Sequence, residues 1–190
     1  MLRVKMINKE DLLELMKIRH SGRSYDQSKL VHQEEINMLI EATRLSPSCY
    51  GDEPWRYVIC NRQSNQNAWE KLLSCLTESN QKWTKDTQIL LISLSAKNFR
   101  DHTKGANFWG SHDTGAANYA FMLQATSMNL MAHQMGGFDR DKIVEKFNIP
   151  DDFNVMSVIA VGYEKEGAEV KEKTRKPIEE IFFYNEWPNS

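Results

Sequence analysis

Ile89-Leu90-Leu91-Ile92-Ser93-Leu94 is a continuous apolar run of strand length, and such a run reads as a strand buried on both faces. Val155-Met156-Ser157-Val158-Ile159-Ala160-Val161-Gly162-Tyr163 is a second strand of the same kind, and Trp55-Arg56-Tyr57-Val58-Ile59-Cys60, aromatic and β-branched, is a third. Around them the apolar spacing turns helical. Leu12, Leu13, Leu15, Met16 and Ile18 mark a short helix over 10–20; Ile36, Leu39, Ile40 and Leu45 mark another over 33–45, stopped by Pro47. Ala68, Trp69, Leu72, Leu73 and Leu76 predict a helix over 67–79. The longest helix is expected over about 114–134, rich in small residues, with Gly136-Gly137 as its C-terminal stop and Asp139 as the N-cap of a short helix over 140–147. Residues 97–112 have no clear period, and a long irregular segment inside a compact domain is usually a functional loop or lid. Residues 164–176 are a mixed charge run, read as a solvated loop; the tail from Ile178 to Trp187 is too apolar to be loose in water.

At 190 residues, with no internal repeat and no obvious linker, the chain reads as one domain over 1–190. A formal net charge of −2 gives no basic field for a nucleic acid or a membrane surface. The first 20 residues lack a signal-peptide core, and no apolar run reaches the ~18–20 residues that span a bilayer. Three widely spaced cysteines, Cys49, Cys60 and Cys75, fit a reducing cytoplasm rather than a disulfide framework. No zinc spacing is present, and the shared segment of His102 and His112 is weak grounds for one, so no metal is expected. Glycine-rich dinucleotide and P-loop signatures are absent, which leaves any phosphate to side chains.

Four blocks carry candidate chemistry. Arg19-His20-Ser21-Gly22-Arg23-Ser24-Tyr25 sets guanidinium forks and hydroxyls after the first helix, the donors a phosphate monoester needs, although cations at a helix C-terminus also simply complement its dipole. Ser46-Pro47-Ser48-Cys49-Tyr50-Gly51-Asp52-Glu53-Pro54-Trp55 reads on its own as a helix stop and a turn into a strand. Met135-Gly136-Gly137-Phe138-Asp139 reads as a helix cap that also permits close backbone approach. Lys173-Thr174-Arg175-Lys176-Pro177 reads as solvated charge or as a second basic arm.

In that order and spacing, from about residue 11 to 184, the four blocks resemble the nitroreductase family of FMN enzymes. The resemblance implies an α+β fold: a central mixed or antiparallel sheet of about 4–5 strands flanked by helices, in an intertwined homodimer. It implies that Arg19, Ser21 and Arg23 hold the FMN phosphate and ribityl chain, with His20 along the cofactor through its backbone. Pro47, Ser48, Cys49 and Gly51 would reach the flavin of the other subunit, with Gly51 standing where the family has Asn and Glu53 where it has Gln. Gly136 and Gly137 would bring a backbone N–H to flavin N5; Lys173 and Arg175 would close around the phosphate or face the ring edge near N1, and Asn80 is carried over with them.

The activity so implied is transfer of hydride from NADH or NADPH, through FMN, to flat electron-poor acceptors such as nitroaromatics or quinones, by a ping-pong mechanism. The chemistry is the flavin's, so no catalytic side chain is assigned. Glu53, Phe99, Phe108 and Trp109 are the candidates for the acceptor pocket, hydrophobic packing being the alternative for the three aromatics. Other readings of the same residues are a flavin-binding protein with little or no turnover, a reductase of an enone or halogenated aromatic, and an interaction domain whose basic pairs are surface charge.

Overall fold

The computed structural model describes residues 9–188. In chain order the elements are α1 (Lys9–Ile18), α2 (Gln33–Arg44), β1 (Trp55–Asn61), α3 (Gln66–Leu73), α4 (Glu78–Thr84), β2 (Ile89–Ala96), α5 (Gly110–Ser127), β3 (Leu130–Met135), α6 (Arg140–Phe147) and β4 (Phe153–Tyr163). The four strands form one sheet in the order β1-β2-β4-β3, every pairing antiparallel. The fold is α+β, as expected, with four strands among the described residues.

The run that reads as doubly buried is the central strand β2, and period-2 alternation sends its residues into two separate cores. Leu90, Ile92 and Leu94 face Trp69 and Leu72 of α3, Trp83 of α4 and Ile143 of α6. Ile89 and Leu91 face Ile36 and Leu39 of α2 and Phe121 and Ala125 of α5. Each face is therefore covered by its own layer of helices, which is why β2 carries almost no polar side chain. Ser93 and Ser95 are the exceptions: the Ser93 hydroxyl donates to Asn118 Oδ1 at 3.0 Å, and Tyr57 donates to the same oxygen at 2.7 Å, so these polar atoms under α5 satisfy one another.

Two expectations are corrected. The long helix does not run over about 114–134: α5 occupies Gly110–Ser127, the chain turns at Asn129 with φ 59°, and Leu130–Met135 is the edge strand β3. Leu, Met, Ala and Gln are good helix formers, but pairing with β4 overrides that weak local preference. Gly136-Gly137 accordingly follows a strand rather than capping a helix. The helix over 67–79 also divides. α3 ends at Leu73, Leu76 bridges to Phe138, and α4 begins at Glu78. Asp139 is the N-cap of α6, its side chain accepting from the Lys142 N–H at 3.0 Å.

The tail is exposed on the single chain: Phe182 is 67% and Tyr184 90% exposed. That is a large apolar surface left without cover.

Candidate functional site

α1 ends at Ile18, and the next residues run beside the edge strand β3 rather than away from it. His133 on β3 donates through Nδ1 to the Gly22 carbonyl at 2.8 Å. The approach is close: a Cβ at position 22 would press on the Met131 and Glu164 side chains, which would have to shift. Tyr25 then bridges to Glu164, and Asp26 N–H donates to the Tyr163 carbonyl at 2.9 Å, sewing the segment onto the end of β4.

Between this segment and the 164–176 loop lies a cavity of about 480 Å³, lined by Arg19, His20, Ser21, Gly22, Arg23, Glu169, Lys171, Lys173 and Arg175. The two basic blocks, some 150 residues apart in sequence, are thus brought to one place. Four Lys or Arg side chains besides Arg23 share the cavity with a single carboxylate, and among the described residues none of these cations is in an ion pair. Burial, with Arg19 and Arg175 as like charges, holds the Lys173 ammonium below the usual lysine range. Its Nζ donates to the Met16 carbonyl at 3.1 Å and to that of Lys17, so the cation at the end of α1 comes from the distant loop. Arg19 donates to Ser21 Oγ at 3.2 Å. The His20 ring is turned to internal partners, the Ile18 carbonyl at 3.1 Å and Glu164 at 2.7 Å. Arg23 lies 6.0 Å above the ring of Trp83, which stacks on His133 at 4.6 Å.

The glycine pair stands at the far end of β3, about 10 Å along the strand from His133 at the usual rise per residue. Thr77 N–H and Asn80 Nδ2, at the start of α4, donate to the Gly137 carbonyl at 3.0 and 2.9 Å. A Cβ on Gly137 would lie 2.5 Å from Asn80 Nδ2, whereas around Gly136 there is open space. The cationic cavity, His133, Asn80 and the glycine pair thus follow β3 in sequence.

The remaining candidates form a separate group. The turn after α2 contains three left-handed residues, Tyr50 (φ 54°), Gly51 (φ 62°) and Glu53 (φ 50°), and it is fastened to the 97–113 segment. Cys49 N–H donates to Asp113 Oδ2 at 2.8 Å, Arg100 N–H to Asp52 Oδ1 at 2.8 Å, and Asn107 Nδ2 to Asp52 Oδ2 at 3.1 Å. Ser48 Oγ accepts from the Glu53 N–H at 2.9 Å, and the Glu53 side chain is exposed. Phe99 is buried, edge-on to Tyr50 at 5.9 Å; Phe108 and Trp109 are open to solvent. Pro47, Ser48, Cys49 and Gly51 do not line the cationic cavity of the same chain. Lys171, Glu169, Trp83, His133, Asp52, Asn107 and Asp113 were not legible as site residues in the sequence. Asp52 and Asp113 look like ordinary turn and helix-start residues until their burial is seen.

Among the described residues no cluster of His, Cys, Asp and Glu could hold a metal ion, and no helix is long and apolar enough to cross a membrane.

Comparison with known proteins gives a consistent result. The model of the Nitroreductase family matches residues 16–88 and 76–163. A solved structure described as an oxidoreductase containing FMN superposes with a TM-score of 0.85 at 27% identity, over 100% of this chain and 96% of that one. A nitroreductase family protein of Clostridium difficile 630 shares the fold with a TM-score of 0.77 at 24% identity, over 92% and 98% of the two chains. A Staphylococcus haemolyticus protein carrying the provisional name NAD(P)H nitroreductase SH0546 is 26% identical over 94% of this chain and 97% of its own length. The chain belongs to the nitroreductase family.

Proposed function

We propose that the protein is an FMN-dependent NAD(P)H oxidoreductase of the cytoplasm, reducing flat electron-poor acceptors such as nitroaromatics or quinones. The observation that carries this is the cavity in which Arg19, Arg23, Lys171, Lys173 and Arg175 converge without an ion pair among the described residues. Desolvation, and after it the like charges of Arg19 and Arg175, disfavour the Lys173 ammonium, and a phosphate dianion would relieve both through charge-assisted hydrogen bonds. The residues present fit FMN. Arg19, Ser21 and Arg23 would hold the phosphate from one side, Lys173 and Arg175 from the other, and Gly136 and Gly137 would let the backbone approach the flat ring. Bound there, FMN would supply hydride transfer between the nicotinamide donor and the acceptor. The chain's part is to hold the phosphate, exclude water from one ring face and leave the other face open to donor and acceptor in turn.

The second group completes this site only from a neighbouring copy, since the Pro47–Gly51 turn lies apart from its own chain's cationic cavity. The uncovered aromatic tail supports the same homodimer. Purified protein is expected to be yellow, and titration of the colourless apoprotein with FMN should saturate near one equivalent per chain. Failure to take up FMN ends this reading. FMN uptake without NAD(P)H oxidation in the presence of a nitroaromatic or quinone would instead leave a flavin-binding protein.

A further inference from the structure

Asp52 is a carboxylate only 5% exposed, and its two oxygens hold two points of the segment between β2 and α5. Oδ1 accepts from the Arg100 backbone N–H at 2.8 Å, and Oδ2 accepts from Asn107 Nδ2 at 3.1 Å. Asn107, itself 6% exposed, uses its other amide atom on the next turn of chain: its Oδ1 accepts from the Trp109 N–H at 3.1 Å. One relay of hydrogen bonds therefore joins the left-handed turn at Tyr50–Glu53 to the residue that opens α5. A second fixing runs alongside it, because Asp113, whose N–H donates to the Trp109 carbonyl at 2.9 Å, accepts from Cys49 N–H at 2.8 Å. Burying a carboxylate is expensive, and a turn this local needs none for packing; it persists where backbone conformations that are costly alone are over-determined by their surroundings.

We propose that Asp52 is a positioning residue for the acceptor. Through Asn107 it holds the Trp109 backbone, and with it the exposed ring, relative to the turn that carries Glu53, and so sets the acceptor slot proposed between them. The Trp109 ring is 55% exposed and edge-on to His112 at 5.8 Å, and among the described residues its backbone is tied to that turn through Asn107 and Asp113. This rests on the flavin oxidoreductase reading, but it concerns the acceptor slot and not the phosphate cavity, from which Asp52 and Asn107 are absent.

The amide and carboxylate can be exchanged. Asp52→Asn sets two amide N–H groups against each other, and Asn107→Asp sets two carboxylates against each other; the double variant D52N/N107D restores one donor to one acceptor with the total charge unchanged. With FMN-loaded dimer and a one-ring nitroaromatic, each single variant is expected to lose about tenfold in kcat/KM, mostly through KM, a scale usual for displaced positioning groups. The double variant should recover to within about twofold, and Trp109→Leu should cost little further in the Asp52→Asn background, since the two act through one ring. Flavin occupancy should stay at the wild-type level throughout. Acceptor kinetics that remain at wild type while only the unfolding midpoint falls would reduce Asp52 to a structural role and overturn the proposal. So would exchange without recovery, or fully additive losses with Trp109→Leu. Wild-type protein that takes up no flavin would end the oxidoreductase reading, and this inference with it.

Discussion

Lys173 shows how far a residue's role can be from its neighbourhood in sequence. Within a mixed charge run it reads as solvated, and only the family resemblance makes it a second basic arm; in the fold it reaches across to the carbonyls of Met16 and Lys17 and joins Arg19 and Arg175 in one cavity. The Arg19 end of the cavity was legible, since guanidiniums and hydroxyls in a short block are phosphate chemistry wherever they occur. Arg19→Ala combined with Arg23→Ala should weaken FMN binding by about 2–4 kcal/mol, read from fluorescence titration of the apoprotein, as two charge-assisted contacts are lost. An unchanged affinity would place the phosphate elsewhere. His133 makes a different prediction. Burial, with Arg23 and Arg19 nearby, holds its imidazole below the usual histidine range while its Nδ1 serves the Gly22 carbonyl. The unfolded chain therefore binds a proton first as pH falls. Stability from this group is complete above about pH 6.5 and is lost below it, by at most about 1.4 kcal/mol per pH unit. Denaturant unfolding of His133→Gln between pH 5 and 8 should be flatter than wild type by that slope. Among the thiols, burial pushes Cys60 up to about 11 and Cys75 upward also, so both should resist labelling in the native protein and become reactive on unfolding.

At the scale of elements, the strands with β-branched runs and the helices with clear caps were legible: β1, β2, β4, α2 and α6 stand where pattern and capping put them. β3 was not. Its Leu-Met-Ala-His-Gln-Met sequence carries no strand signature, and it is a strand because β4 offers an open edge to pair with. α4 was hidden for a related reason, since its break from α3 is made by Leu76 bridging to Phe138 and by the Gly137 carbonyl accepting from Thr77 and Asn80. That junction is tight. Gly137→Ala should destabilise the protein by about 1–3 kcal/mol, because its Cβ would stand 2.5 Å from the Asn80 amide, and denaturant midpoints will measure it. Gly136→Ala, with open space around it, should cost much less and serves as the control.

At the scale of the whole molecule, the cationic cavity is built within one chain, while the Pro47–Gly51 turn does not line it and the aromatic tail is largely exposed. Light scattering at micromolar concentration should therefore give twice the chain mass, and removal of residues 178–190 should yield a smaller species with weakened FMN binding. A full-length monomer that binds FMN normally would contradict the shared site. What the sequence determined by itself were the terms set by local chemistry: which stretches must be buried, which residues can grip a phosphate, and the order of blocks that resembles one family. Tertiary structure alone decided that β3 is a strand, that Lys173 reaches the carbonyls at the end of α1, and that Asp52 and Asp113 are buried anchors rather than surface acids. Those depend on pairing, burial and like-charge proximity between residues far apart along the chain, and no local propensity encodes them.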